Sequence, residues 1–354
     1  MPKLTTNLIA NFTPKLKQLT HVFFCATFLS GCNMTPNNEF TWATSKCGPK
    51  GYPLEILSGT LYFKDEDEDV GLSLASGSVN GIWGDSFAGT SSVEAKLPDR
   101  FDITFYSYAE NQSYRGEFDL PYDKILALFQ WGEKNATRIA NEKRPVFSEF
   151  VVGIAPGGTV AIWLFGQNEQ REIFFGKAEK INLVLDYVFD VPFGNDEKGE
   201  QFRLRVLEKD VGAERLKEFE ANNIHYDVLQ RYRKLYHWQM ELSVAAKFDD
   251  ISISFVNGEV FKLNERNGLD YKIPQHLHVP ANMFFRVNDE PYEFRFDDYE
   301  TIEAFEALDA IEGLTEEEKL IHIEISPRID QVTSTVRLYN AKHSIELKKT
   351  VFVP

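Results

Sequence analysis

Apolar and polar side chains alternate through most of this 354-residue chain. In YPLEILSGTLYF, residues 52–63, Leu54 and Ile56 and then Leu61 and Phe63 keep a period of two around Ser58 and Gly59. This predicts strand, bent at a turn or bulge. FDITFYSYAE (101–110) sets Phe101, Ile103, Phe105 and Ser107 on one face and Asp102, Thr104, Tyr106 and Tyr108 on the other. EFVVGIAPGGTVAIWLFG (149–166) reads as two β-rich runs joined through Pro156, Gly157 and Gly158, a hairpin. Strand patterns return from Lys177 to Phe193, in QFRLRVLE (201–208), and in four stretches after Trp238. Among these, FVNGEVF carries Asn257 and Gly258 between β-forming flanks, a strong hairpin signal.

Three stretches keep helical spacing instead. LPYDKILALFQWG (120–132) places Pro121 at a helix start, Ile125, Leu128 and Phe129 on one face, and Gly132 at the end. Residues 212–238 carry Leu216 and Phe219, a break at Asn222 and Asn223, then Val228, Leu229, Tyr232, Leu235 and Tyr236. ETIEAFEALDAIEG (300–313) sets Ile302, Phe305, Leu308 and Ile311 at threes before Gly313, and Thr315 with Glu318 forms a capping-box pattern. No fixed-period repeat is present, which argues against solenoids and propellers. The pattern as a whole predicts a mostly β, β-rich α+β fold: two antiparallel β-sandwich-like domains with a few inserted helices. The predicted division is a leader at 1–31, a tether at 32–39, a β-rich domain at 40–210, a helical connector at 211–239 and a second β-rich domain at 240–354.

The start of the chain differs from the rest. Residues 1–20 carry Lys3, Lys15 and Lys17 without an acidic side chain, and they lead into an apolar run within HVFFCATFLSGCN (21–33). A basic head before a short apolar run is the layout of a secretory signal peptide. The run falls far short of the roughly 20 residues needed to span a bilayer. Leu29, Ser30 and Gly31 before Cys32 resemble the lipobox of bacterial lipoproteins, which implies cleavage before Cys32 and lipidation of it. Two or three acyl chains make a stable membrane anchor. Residue 33 is Asn rather than Asp, so an outer-membrane lipoprotein facing the periplasm is expected, with NMTPNNE (33–39) as its polar tether.

Composition narrows the chemistry. Hydrophobic residues make up 43% and aromatic residues 14%, enough for two real cores. The formal net charge of −16 becomes −19 once the three leader lysines are removed. Such a chain repels nucleic acid and anionic lipid headgroups and favours cationic ligands or basic protein partners. Of three cysteines, Cys25 leaves with the leader and Cys32 takes the lipid, so Cys47 is expected as a buried free thiol. GIAPGG lacks the Lys and Ser/Thr of a phosphate-binding loop. KDEDEDVG (64–71) spaces Asp65, Asp67 and Asp69 like the start of a calcium loop, but Gly71 falls out of place for one and a solvated hairpin tip is expected. His276 and His278 in QHLHVP have no third ligand at recognisable spacing. No G-x-S-x-G elbow occurs, and carboxylates are too abundant to single out a pair. No catalytic residue, metal, or small-molecule cofactor is therefore expected.

The strings TWATSKCGPKGYPLEILSG (41–59), LPDRFDITFYSYAENQSYRGEFDLPYDKI (97–125), VVGIAPGGTVAIWLFG (151–166) and RYRKLYHWQMEL (231–242) together resemble the bacterial lipoproteins grouped as domain of unknown function 2931. The densest motifs are Pro49 to Pro53, Tyr114 to Pro121 and Gly153 to Gly158. The resemblance implies a lipidated envelope protein whose activity is not established; such lipoproteins are sometimes encoded beside antibacterial secreted effectors, which suggests an immunity role by association alone. Among the residues that carry it, Tyr108, Tyr114, Arg115 and Trp163 are candidates for an exposed partner-binding patch, because Tyr, Trp and Arg dominate interface hot spots. Core packing is the competing reading for the same four. The leading expectation is a non-enzymatic protein-binding lipoprotein. A hydrolase or carbohydrate-handling enzyme of the envelope using paired carboxylates, and a passive structural lipoprotein, are the alternatives.

Overall fold

The computed structural model describes residues 39–354, apart from 68–69, 88, 140–141, 168, 184–198, 222, 243–247, 264–274, 288–289, 327–334 and 354. The leader, Cys32 and most of the tether lie outside the described residues. From residue 38 onward the chain forms one compact unit.

Strands dominate, and among the described residues they assemble into sheets of ten, six and five strands and one small two-stranded ribbon. The ten-stranded sheet runs Val351–Val353, Glu290–Arg295, Pro280–Val287, Phe248–Phe255, Val260–Leu263, Glu169–Lys177, Thr159–Gly166, Glu149–Ala155, Glu39–Cys47, Val93–Lys96. The six-stranded sheet orders Glu179–Ile181, Gln112–Asp119, Pro98–Ser107, Leu54–Phe63 and Gly71–Ser73, with Gly77–Val79 also paired to Leu54–Phe63. The five-stranded sheet orders Gln275–Leu277, Tyr236–Leu242, Ile321–Ser326, Thr335–Tyr339 and Ser344–Leu347.

The fold is β-rich as the alternation implies, but its sheets are not purely antiparallel. Glu39–Cys47 pairs in parallel with Glu149–Ala155, and Tyr236–Leu242 in parallel with Ile321–Ser326. Parallel neighbours require a long crossover, and here all strands of the six-stranded sheet except Glu179–Ile181 lie within the first crossover and the Asp298–Asp309 helix within the second. The bend expected near Ser58 is a register shift between Ile56 and Ser58 inside one continuous strand.

Two hydrophobic cores form, and one hairpin feeds both. From Glu149–Ala155 and Thr159–Gly166, the side chains of Val152, Ile154, Val160, Ile162 and Leu164 enter the first core, with Phe101, Ile103 and Phe105. Alternate residues Val151, Ala155, Ala161 and Trp163 enter the second, with Trp238, Met283, Phe305 and Ile323. A strand buried on both faces reads as an unbroken apolar run, which is how VVGIA and TVAIWL read. The tip turns through Gly157 and Gly158 at φ of 73° and 75°, a left-handed pair that L side chains rarely adopt.

QFRLRVLE is helix rather than strand. The helical run Gly199–Glu220 includes it, broken by a non-helical Gly212. Phe202, Leu204 and Val206 fit a period of two, whereas Phe202, Val206 and Leu207 recur at helical spacing, and the helix lets the latter set cover Tyr108 and the first core. The connector helix thus begins before residue 211, and Tyr236 opens a strand. The other helices are Tyr122–Lys134, Val228–Arg231 and Asp298–Asp309. In the last, Asp297 accepts from the Glu300 amide as N-cap and Ile302, Phe305 and Leu308 are buried. The Thr315–Glu318 capping box closes reciprocally: Glu318 accepts from the Thr315 amide at 2.9 Å, and its own amide donates to the Thr315 hydroxyl at 3.3 Å.

Between the cores the large sheet is stitched at one register point, Gln170 opposite Val260. Side chains complete the seam. Trp163 donates to the Asn257 carbonyl at 3.2 Å, and Arg171 to that of Val260 at 3.0 Å. The Arg171 guanidinium lies 3.6 Å over the Phe261 ring and pairs with Glu169 at 2.8 Å. Gly84 meets Gly258 so closely that a Cβ on Gly84 would stand 2.5 Å from the Gly258 Cα.

Candidate functional site

Three of the four residues proposed for an exposed patch are interior. Tyr108 is 1% exposed, lies beneath the Gly199–Glu220 helix, and donates to Glu55 at 3.2 Å. Tyr114 is 1% exposed, stacks on Phe105, and donates to the Glu110 carboxylate at 2.7 Å. Trp163 is fully buried edge-on against Trp83. Arg115 alone is exposed, paired with Glu117 at 3.0 Å. The common patch does not form: Tyr114 points from the inward face of its strand into the first core while its neighbour Arg115 points outward, and Trp163 sits in a strand buried on both faces. Cys47 is buried as expected, accepts from the Gly84 amide, and burial pushes its thiol up to about 12. It is therefore an inert thiol.

Arg115 points to the surface that sequence reasoning missed. On the outward side of the six-stranded sheet, cross-strand register aligns Tyr62, Arg100 and Asp119 in one row and Thr60, Asp102 and Glu117 in the next. The third row holds Ser58, Thr104 and Arg115. The Arg100 guanidinium lies 4.4 Å over the Tyr62 ring. Burial and the neighbouring Asp102 hold the Tyr62 phenol above its ordinary range.

At the end of this face the sheet and the tip of the 64–71 hairpin enclose a recess of about 260 Å³. Tyr62, Phe63, Arg100, Asp65, Glu66, Asp67, Asp99 and Asp119 line it. Five carboxylates thus face one guanidinium. Lys64 pairs with Asp99 at 3.4 Å and Lys96 with Glu66 at 2.6 Å, both half-exposed. Asp65, Asp67 and Asp119 make no ion pair among the described residues. The aspartates of the calcium-like spacing are therefore part of an acidic wall, with Asp69 outside the described residues. Its surplus negative charge sits beside an aromatic ring, a setting for a cationic side chain. A second recess of about 360 Å³ is lined by Arg115, Gly116, Glu117, Phe118, Lys177, Glu179 and Ile181.

The outward face of the five-stranded sheet is also polar, and its groups satisfy one another. Tyr339 donates to Glu241 at 2.6 Å, His322 meets the other oxygen of Glu241 at 2.7 Å, and Arg337 pairs with Glu324. His276 stacks on His237 with ring centres 4.6 Å apart, whereas His278 turns to Glu259 at 3.5 Å. The two histidines of QHLHVP thus serve different neighbours. Among the described residues no group of three or more His, Cys, Asp or Glu is arranged to hold a metal. No helix of the described chain is long and apolar enough to cross a membrane.

Burial raises the carboxyl of Glu172 above its ordinary range, as it does those of Glu55 and Asp298, and Arg233 pairs with Glu172. It lies at the seam and lines neither recess. Residues 30–224 match the model of a family described as protein of unknown function DUF2931. No curated protein and no solved structure matches the chain.

Proposed function

The chain belongs to the DUF2931 family, and from that premise we propose that it is a protein-binding lipoprotein of the bacterial envelope that captures a basic partner. The observation that carries this reading is the recess at Tyr62 and Arg100, where five carboxylates converge and three of them have no ion-pair partner among the described residues. A lysine or arginine side chain of the partner enters there, with Tyr62 as the aromatic wall. The net charge, −19 once the three leader lysines are removed from the −16 of the full chain, steers that partner toward the surface, so association is fast at low salt and slows as salt rises.

Lipidation at Cys32 holds the protein on the membrane, facing the periplasm from the outer membrane. In that setting the partner that fits best is an incoming antibacterial effector, which the lipoprotein neutralises by binding. No catalytic residue, metal or cofactor enters this reading.

The test is a pull-down from solubilised envelopes with the lipidated protein, followed by a competition assay with a deletion strain. A partner whose capture is lost in an Asp65→Asn, Asp67→Asn, Asp119→Asn variant, together with loss of protection on deletion, supports the proposal. A partner captured equally well by the triple variant sinks the recess as its site. For the anchor, a Cys32→Ala variant that still incorporates labelled lipid would exclude the lipobox.

A further inference from the structure

The recess at Arg115 and Phe118 marks an open stretch of sheet edge. In the six-stranded sheet, every residue of Gln112–Asp119 pairs with Pro98–Ser107 on one side, from Gln112 opposite Ser107 to Asp119 opposite Arg100. On the other side, Glu179–Ile181 pairs only with Ser113, Tyr114 and Arg115. Gly116–Asp119 therefore has no strand beside it on that side among the described residues.

The gap follows from the route of the chain. Lys177 still pairs with Thr159 in the ten-stranded sheet. Continuing the antiparallel register would set Ala178 opposite Gly116, but the Ala178 amide donates to the Gly158 carbonyl at 2.7 Å. The edge strand of the six-stranded sheet thus begins too late to cover its neighbour. The recess of about 360 Å³ lies at this gap, between Gly116, Glu117 and Phe118 on one side and Lys177 and Glu179 on the other. The half-buried Phe118 ring folds over Gly116, leaving no room for a Cβ there, and rests 4.9 Å from the Phe174 ring.

An edge with unpaired N–H and C=O groups is a template for another strand. Charge decides which strand fits. Glu117 and Asp119 alternate on the exposed side, so an identical strand from a second copy of this chain is repelled and a basic one attracted. Within the recess Arg115 and Lys177 offset Glu117 and Glu179, and the surplus begins at Asp119, the residue after Phe118, which lines the acidic recess.

We propose that Gly116–Asp119 is a strand-addition site, where an extended segment of the basic partner pairs along the open edge. One side chain of that segment, apolar, meets Phe118, and the next, a lysine or arginine, passes Asp119 into the acidic recess. The inference rests on the acidic recess as the partner's binding place and adds the main-chain ladder that fixes the segment in register.

The probe is a synthetic hexapeptide alternating lysine and valine, compared with the same peptide N-methylated at every amide. The second keeps all charges and side chains but has no main-chain donor. Calorimetric titration of the whole chain should show the methylated peptide binding at least about tenfold more weakly. Amide hydrogen exchange should show new protection within Gly116–Asp119 with the parent peptide alone. Equal binding of the two peptides overturns the strand-addition site and leaves the acidic recess standing. Absence of protection within Gly116–Asp119 at about 5 mM parent peptide, beyond millimolar-range affinity, also overturns it. In an Asp65→Asn, Asp67→Asn variant the parent peptide should bind more weakly and still protect Gly116–Asp119. Unchanged affinity there, with protection retained, overturns the acidic recess and leaves the strand-addition site standing.

Discussion

At the seam between the two cores, Glu172, Arg233, Arg171, Glu169, Glu259 and His278 are drawn together, and each has a partner of opposite sign or a hydrogen bond. At the recess on the outer sheet face, Asp65, Asp67 and Asp119 crowd a single guanidinium with solvent beside them. Both are clusters of charge on strands, and burial is what separates them. Inside, an uncompensated charge costs several kcal/mol, so pairing is enforced. Outside, water screens the repulsion, and a surplus of one sign can persist until a partner meets it.

Removing one member of the seam is the strongest test of this contrast. Glu172→Ala strands the Arg233 guanidinium and should lower unfolding stability by about 3 kcal/mol, read from the urea midpoint. A loss below about 1 kcal/mol would put the pair in the class of surface ion pairs and dissolve the distinction. Next in size, Trp163→Phe removes the donor to the Asn257 carbonyl and part of the contact with Trp83. It should cost about 1–2 kcal/mol, again by chemical denaturation.

Acid sharpens the comparison further. Burial holds the His278 imidazole below its ordinary value of 6.5, despite the Glu259 carboxylate 3.5 Å away. The unfolded chain then takes the proton first, so stability from this group is lost as pH falls below about 6.5. Glu172 acts in the opposite direction. Its carboxyl is raised by burial, so the folded state takes up a proton first and gains stability as pH falls toward 4.5. A His278→Gln variant should therefore flatten the decline in melting temperature between about pH 7 and pH 5. An unchanged slope would show that His278 does not titrate with folding.

The recess should respond least in stability. Asp65→Asn with Asp67→Asn should leave unfolding within about 0.5 kcal/mol of the parent chain, while association with a basic partner slows about tenfold at low salt and little at high salt. Stopped-flow mixing across a salt series reads this directly.

Local chemistry was legible in the sequence where neighbours in the chain decide the outcome. The Asn257-Gly258 and Gly157-Gly158 turns, the Thr315–Glu318 box and the inward set Phe101, Ile103 and Phe105 all fall in this class. QFRLRVLE shows the limit, since Phe202, Leu204 and Val206 alternate as in a strand while Phe202, Val206 and Leu207 recur as in a helix, and only the layer beneath them selects the helix. The recess was illegible for another reason. Alternation says that Tyr62 and Arg100 face outward, but only the register between their strands says that they face each other and Asp119. Tyr108, Tyr114 and Trp163 illustrate the same point from the other side, because their outward faces are covered by elements far away in the chain.

The strand Glu39–Cys47 is held on both flanks. Its first part pairs with Val93–Lys96 and its second part with Glu149–Ala155. Under the proposed lipid anchor, any tug from the membrane enters the fold along this strand. The ladder hydrogen bonds lie across that direction, so they share the load and must yield together rather than peel one at a time. The first strand after the tether would thus serve as a mechanical clamp, built to keep the body folded while the membrane moves.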